Sequence, residues 1–273
     1  MIRVLRNFSA MVREVGLPRT VAGAARSIIA RISNRRSPAY SDPGPPPGAA
    51  ESLTTLDSHG ATFIVRTGSC DAGIIEETWQ SYMSWIDEVG IDTSEYVLDL
   101  GAHIGGFSLH LAAHRRPPRR IYALEPEPTN FMLLRKNVAQ NDCEQTVIAI
   151  PAAAYSRDGT AQLHLSSGTS GGHHISLGRS GVHVEVETRD IRGIVDGIHG
   201  QISLMKIDVE GWELPILRRL GDRVARVNAI IGEAHTTYFC TPPSLFRHLS
   251  DLGFVVRSRG PAEMPIFLAT RHL

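Results

Sequence analysis

Cysteine is scarce in this 273-residue sequence, and the three present (Cys70, Cys143, Cys240) are an odd number, far apart, with no C-x-x-C spacing. A disulfide framework or a zinc knuckle is not expected, and a reducing cytoplasm is the expected compartment. Long apolar runs are missing as well: none approaches the roughly 18 residues a membrane-spanning helix needs. Net charge is absent, with 28 basic residues against 28 acidic ones, so nothing in the overall balance points to a nucleic-acid partner. No repeat period is evident.

What is present is ordinary for a soluble globular chain, at 42% hydrophobic and 21% charged residues. The length allows one sizeable domain and an extension. Charge is unevenly spread, because residues 1–36 hold eight arginines and one acid, Glu14. Apolar and basic positions alternate there with helical spacing on both sides of Gly16-Leu17-Pro18. This basic extension reads as a helical pair packing on the main domain or a sister subunit. A membrane-surface or anionic-partner helix and a cleaved targeting peptide are the rival readings. Residues 37–50 contain five prolines and two glycines and read as an extended linker.

The main domain is expected over 51–273, with an accessory hairpin and helix in 51–92. Leu53–Leu56 and Ala61–Val65 flank an Asp57-Ser58-His59-Gly60 turn. Ala72–Val89 reads as a helix with Asp71 as its N-cap and Gly90 as its stop. From Tyr96 strands and helices alternate. Strands are expected at Tyr96–Leu100, Arg120–Leu124, Thr146–Ile150, Ser203–Ile207 and Val227–Gly232. Helices are expected from Gly105 to about His114, at Thr129–Asn141 and at Pro242–Leu252. Ala161–Leu165 and Val182–Glu187 should pair antiparallel, and Phe254–Ser258 with Ile266–Ala269 should close the domain as an antiparallel hairpin at the sheet edge. Alternating βα units imply an α/β fold, a mostly parallel sheet with helices on both faces.

In such a sheet ligands sit beyond the carboxyl ends of the strands, which turns those ends into a shortlist. Strand Tyr96–Leu100 carries Asp99 and runs into the turn Gly101-Ala102-His103-Ile104-Gly105, whose bare backbone N–H groups can face a ligand. Glu125, 24 residues after Gly101, can accept both hydrogen bonds of a ribose diol. G-x-G-x-x-G is absent, and Asp99 would repel a phosphate but suits an ammonium. S-adenosylmethionine, with a ribose and an amino-acid end but no phosphate, fits both acids better than NAD or FAD.

Four stretches carry a resemblance: VLDLGAHIGGFS (97–108), ALEPEPTNFMLLRKNV (123–138), AAAYSRDG (152–159) and, most specifically, LMKIDVEGWELPILRRL (204–220). The segments RTGSCD (66–71) and IIGEAH (230–235) add to it. Over about 170 of the 273 residues the chain resembles the FkbM-type family of S-adenosylmethionine-dependent methyltransferases. His103 stands where that family usually has Asn. The resemblance implies a Rossmann-like seven-stranded methyltransferase sheet and cofactor contacts at Asp99, Gly101, Glu125 and Pro126, with Ala102, His103 and Gly105 completing the turn. Pro126 offers an apolar face for the adenine, and backbone groups at Ala153 and Ala154 could read its edge. S-adenosyl-L-homocysteine would be the product.

Methyl transfer asks the protein for alignment and for removal of a proton. Asp208, which also borders the expected cofactor, Glu210 and His235 are the candidates for the proton, His235 having the best-matched ordinary pKa. Lys206, Asp208 and Glu210 would share a face on a continuing strand, and Lys206–Glu210 could instead be an ion pair organising the turn. Asp208, Glu233 and His235 could together hold Mg²⁺, but the spacing is not diagnostic and no metal is expected. Asp71, His173, His174 and Glu233 are candidate acceptor contacts, the two histidines lying in a Gly/Ser-rich stretch suited to a mobile loop over the site. Trp79, Tyr82 and Trp85, three residues apart each time, read as a packing face. The expected activity is O-methylation of a hydroxyl on a sugar or other natural-product small molecule, an EC 2.1.1 reaction in the cytoplasm. A small-molecule acceptor, no nucleic acid and a homo-oligomer are the expected partners, and the basic N-terminus could make the chain membrane-peripheral. N-methylation of a small amine or guanidine is the rival enzyme reading, and a non-catalytic nucleoside-binding interaction module is the rival outside enzymes.

Overall fold

A computed structural model describes residues 52–114, 116–166, 171–176 and 181–271. The expected N-terminal helices, the linker and any membrane role of the basic stretch lie outside the described residues.

The described chain opens with a hairpin, β1 (Leu53–Ser58) and β2 (Ala61–Arg66). His59 and Gly60 turn it with φ of 47° and 88°, the two consecutive positive φ angles that a tight hairpin turn demands. Next come α1 (Asp71–Thr78), a π-helical turn at Trp79–Met83 and α2 (Ser84–Val89). Gly90 ends this run in the left-handed conformation at φ 70°. The stop is the one expected, but Asp71 is no cap. It lies inside the first turn, and the residue before it, Cys70, makes no side-chain capping bond.

The βα alternation follows: β3 (Tyr96–Leu100), α3 (Gly106–Ala112), β4 (Arg120–Leu124), α4 (Pro128–Gln140) and β5 (Val147–Ile150). Glu127 caps α4 by accepting from the Asn130 amide, with Pro128 at the first helical position. Then β6 (Ala153–Tyr155), β7 (Gly159–Leu165), β8 (His174–Ile175) and β9 (Val182–Asp190) build a small second sheet, ordered β6-β9-β7-β8. The antiparallel β7–β9 pair was expected; β6, β8 and the following α5 (Ile191–Asp196) were not. All three are short, too short for a periodic pattern to show. The chain continues through β10 (Ile202–Ile207), α6 (Glu213–Leu220), β11 (Val227–Glu233), α7 (Pro242–Asp251), β12 (Val255–Arg259) and β13 (Ile266–Thr270).

The main sheet has seven strands in the order β12-β13-β11-β10-β3-β4-β5. Pairings from β11 through β5 are parallel, whereas β13 runs antiparallel to both its neighbours. The closing hairpin is therefore not a simple edge addition: β13 is inserted between β11 and β12, and only β12 lies at the edge. Strand order reverses between β3 and β10, which makes that crevice the switch point where ligands bind.

Alternation along the strands divides the core into two apolar layers. Leu98, Leu100, Met205, Ile207 and Ile230 pack on one face with residues of α5, α6 and α7. Val97, Ile121, Leu204, Ala229 and Ile231 pack on the other with the hairpin, α1, α2, α3 and α4. Asp99 and Lys206 lie on this second face, following the period-two rule from Val97 and Leu204. They are buried charges in an apolar layer and have to satisfy each other. Cys143 and Cys240 are free thiols, and among the described residues no helix is long and apolar enough to cross a membrane.

Candidate active site

A cavity of about 830 Å³ opens at the carboxyl ends of β3, β4, β10 and β11, roofed by α1, the π turn and β8. Its walls include Gly101, His103, Glu125, Pro126, Ala153, Ala154, His173, Asp208, Glu210 and Glu233, all named from sequence. That volume falls in the range of small-molecule sites.

Beneath the cavity floor, Asp99 and Lys206 face each other in register across β3 and β10. Lys206 Nζ donates to the Gly101 carbonyl at 2.8 Å and lies 3.4 Å from Asp99 Oδ1 and 3.6 Å from Asp208 Oδ2. Burial works against the ammonium, but the charges of Asp99 and Asp208 outweigh it, so the pKa of Lys206 is raised. Asp99 is fully buried, accepts from Ser108 Oγ at 2.7 Å and does not border the cavity. The ammonium that Asp99 was expected to hold is that of Lys206, not that of a ligand. Lys206 is likewise a support for the turn, and its expected pairing with Glu210 gives way to the pairs with Asp99 and Asp208. The strand ends at Ile207 and Glu210 takes φ 55°, so the face shared by Lys206 and Asp208 does not continue to Glu210.

Gly101 has φ 81°, and a Cβ built on it would lie 1.9 Å from the Asp208 carbonyl oxygen. Gly101 and Asp208 thus meet backbone against backbone. His103 also has positive φ, 53°, a conformation that Asn, Asp and His adopt more readily than other side chains. This accounts for a histidine being tolerated at a position where Asn is usual. Its backbone N–H donates to Glu125 Oε2 at 2.8 Å, and Glu125 Oε1 accepts from the Glu127 amide at 2.8 Å. Burial raises the Glu125 pKa to about 7 against the pull of those two bonds. Pro126, Ala153 and Ala154 continue the wall beside it. Ala102 is buried and Gly105 is the N-cap residue just before α3; neither borders the cavity.

This arrangement, a glycine turn joined to an acid at the end of the next strand, coincides with a family match. The Methyltransferase FkbM domain model matches residues 99–256, more than half of the chain. The chain belongs to the FkbM methyltransferase family. A stretch of 163 residues, 48% of this chain and 62% of the relative, is 29% identical to Methyltransferase sdnD of Sordaria araneosa. Another of 151 residues, 46% of this chain and 59% of the relative, is 27% identical to Methyltransferase 1 of Beauveria bassiana. The matched stretches thus span about three fifths of those two proteins. The solved structure of a methyltransferase FkbM from Methylobacillus flagellatus aligns over 65% of this chain and 44% of its own, at 16% identity and a TM-score of 0.45. Residues 99–256 run from Asp99 into β12 and so contain nearly all of the switch-point crevice.

In this FkbM-family domain the far end of the cavity is acidic. Glu77, Asp208, Glu210 and Glu233 all line it. His235 stands just behind, with Nδ1 2.9 Å from the fully buried Glu213 and Nε2 3.3 Å from Glu210 and 3.7 Å from Glu233. Burial disfavours the charged imidazole, yet the Glu213 bond and the nearby carboxylates of Glu210 and Asp208 outweigh it and push the pKa to about 10. His235, expected as a base, is held here among Glu213, Glu210 and Glu233. Burial lifts Glu210 to about 7 and, reinforced by Asp208, Glu233 to about 8. Glu77 is raised as well, by burial and by Asp208.

Two expected acceptor contacts do not reach the cavity. Asp71 is fully buried and holds Arg66 in a two-toothed pair, Nε–Oδ2 at 2.9 Å and Nη2–Oδ1 at 2.8 Å. Its strong preference for the guanidinium displaced the capping role. His174 sits on β8 opposite His164, while its neighbour His173 lines the cavity.

Conversely, α1 and the π turn contribute wall residues that sequence reading missed, among them Glu77, Thr78, Ser81 and Tyr82. Tyr82, read as packing, is 5% exposed and does touch Phe107, but its hydroxyl also lies 3.4 Å from Asp208 Oδ2. Burial and then Asp208 raise its pKa well above the usual phenol value. Trp79 stacks on His59 and Trp85 is buried, as a packing face requires. A π turn rotates the helix face relative to a 3.6-residue repeat, and this one swings Tyr82 toward the site.

Proposed function

We propose that this chain is an S-adenosylmethionine-dependent methyltransferase that O-methylates a hydroxyl of a sugar or other natural-product small molecule. The observation that carries the reading is a single cavity lined by the Glu125 carboxylate with Pro126, Ala153 and Ala154, by Gly101 and His103 of the glycine turn, and by four carboxylates, Glu77, Asp208, Glu210 and Glu233. Glu125 would take the ribose diol, with Pro126, Ala153 and Ala154 beside the adenine. The residues present suit that group, because the ribose partner, the apolar wall and the glycine turn line one cavity. When bound, the cofactor supplies an activated methyl group on a sulfonium.

The chain's own residues would do the rest. Lys206 holds the Gly101 carbonyl and Asp208 in fixed relation, so the turn and the acceptor end cannot drift apart. Tyr82 braces Asp208 from the roof. An acceptor hydroxyl placed among Asp208, Glu210 and Glu233 has carboxylate oxygens within reach of its proton. The acceptor class rests on the family resemblance. A small-amine acceptor is the second reading, favoured by the same four carboxylates, which would bind an ammonium.

Calorimetric titration with S-adenosylmethionine and S-adenosylhomocysteine tests the cofactor. Saturable binding by the wild type, weakened at least tenfold in Glu125→Ala, is expected. A wild-type chain that binds neither overturns the enzyme reading. Incubating the loaded chain with paired hydroxyl and amine acceptors then separates the two acceptor classes.

A further inference from the structure

The acidic end of the cavity is more specific than a pool of negative charge. Asp208 ends β10, Glu233 ends β11, and His235 follows two residues later. One ligand atom from each comes within 4.8 Å of the others. Ligands on one ion with bonds of about 2.1 Å lie about 3.0–4.2 Å apart, so the three would draw together by up to about 1.8 Å on binding it. Among the described residues no other group of three such side chains meets that spacing.

A second observation is independent of the acids. Glu213, fully buried on α6, bonds Nδ1 of His235 at 2.9 Å and also accepts from the Gly211 amide at 3.0 Å. This fixes the ring and turns Nε2 to the carboxylates, at ion-pair distances of 3.3 Å and 3.7 Å. A carboxylate holding the far nitrogen of a histidine is the usual support of a metal-binding imidazole. His235 itself is over nine-tenths buried. Asp208 and Glu233 border the cavity, so an ion between them would keep open positions on the ligand side.

We propose that Asp208, Glu233 and His235 form a divalent-cation site, suited by its one nitrogen and two oxygens to Mn²⁺ or Zn²⁺. The ion neutralises the acidic end of the cavity and offers an open position to an acceptor oxygen. An acceptor hydroxyl there loses its proton more readily, with Glu210 adjacent to take it. Its part in catalysis rests on the methyl-transfer reading above; the binding of the ion does not.

The test is titration of the EDTA-stripped full chain with Mn²⁺, followed by the electron paramagnetic resonance of the free ion, and with Zn²⁺ by calorimetry. One ion per chain is expected, with affinity at least tenfold weaker in Asp208→Asn, Glu233→Gln and His235→Gln. Glu213→Gln should weaken it about tenfold, the cost of losing a supporting carboxylate. Glu187→Gln, an exposed acid on β9 that does not line the cavity, should bind the ion as the wild type does. Circular dichroism identifies a variant that has not folded; the remaining ones then decide. No binding of either ion by the wild type, or binding unchanged in every folded variant of the three, overturns the proposal. The same stripped chain is titrated with S-adenosylmethionine. Cofactor binding without ion binding removes the metal and leaves the methyltransferase reading standing, and the reverse result removes that reading and leaves the metal site.

Discussion

Lys206 and Asp99 occupy facing positions on adjacent parallel strands, both almost wholly buried, with Nζ 3.4 Å from Oδ1. The ammonium also binds the Gly101 carbonyl, so this one pair joins the middle of the sheet to the turn above it. Removing Lys206 leaves Asp99 as an uncompensated buried charge, and removing Asp99 leaves the buried Lys206 with Asp208 alone. Lys206→Met should therefore cost about 3–5 kcal/mol of stability. Asp99→Leu should cost a similar amount, and the double variant less than the sum of the two, because the lone charge is gone. Urea midpoints of the four proteins check this; additive losses would mean the two groups do not act as a pair.

Gly101→Ala is expected to be as damaging as a core deletion. The new methyl would lie 1.9 Å from the Asp208 carbonyl oxygen, on a backbone with φ 81°. The end of β10 would have to part from the turn, at a cost of about 3 kcal/mol or more. Chemical unfolding measures the loss, and an unchanged midpoint would contradict the close approach.

Tyr82→Phe removes the hydroxyl that lies 3.4 Å from Asp208 and keeps the ring against Phe107. Turnover should fall about fivefold, the worth of roughly 1 kcal/mol for one hydrogen bond. Cofactor affinity should stay within about twofold, since Tyr82 faces the acceptor end. A change confined to cofactor affinity would place Tyr82 at the wrong end of the cavity.

Acid sensitivity should trace in part to His110, on α3 and remote from Asp208. The ring is buried beside Phe63 and Trp79, with Nε2 3.4 Å from Ser58 Oγ and Nδ1 without a hydrogen bond. Burial, helped by the charge of His59 and opposed by Glu76, lowers its pKa from 6.5 to about 4. The unfolded chain thus binds this proton first as pH falls. The stability from the neutral ring is complete above about pH 6.5 and is lost progressively between there and pH 4, by on the order of 2–3 kcal/mol. In His110→Leu the difference between urea midpoints at pH 7 and pH 5 should shrink. An equal pH response in both proteins would assign the acid sensitivity elsewhere.

Most of the parallel sheet was legible because its strands are short apolar runs ending in glycine or an acid, the feature that marks a ligand edge. Gly101, Glu125, Asp208 and Glu233 were found this way, and all four line the cavity. Asp99 and Lys206 were misassigned for a definite reason. A period-two pattern says which face a residue takes, but not that a charge 107 positions away lies directly across from it. Asp71 failed similarly, since an acid at a helix start is a capping signal until a guanidinium outbids the amide. Tyr82 was hidden by the π turn, an insertion that side-chain periodicity does not encode. The place of β13 was hidden too: two closing strands read as a hairpin, and nothing local says that one slots between its partner and the rest of the sheet.

That slot bears on how the protein is made. β13 pairs with β11 along Ala229–Glu233, and the Ala234 amide bonds to the Pro265 carbonyl. It leaves the ribosome after every other strand of the sheet, so β11 must wait with an open, mostly apolar edge until Ile266–Thr270 emerges. A nascent chain paused before that point carries an unpaired strand that invites pairing with another copy. Stalling or truncation just before Ile266 should therefore yield aggregate rather than a nearly complete domain.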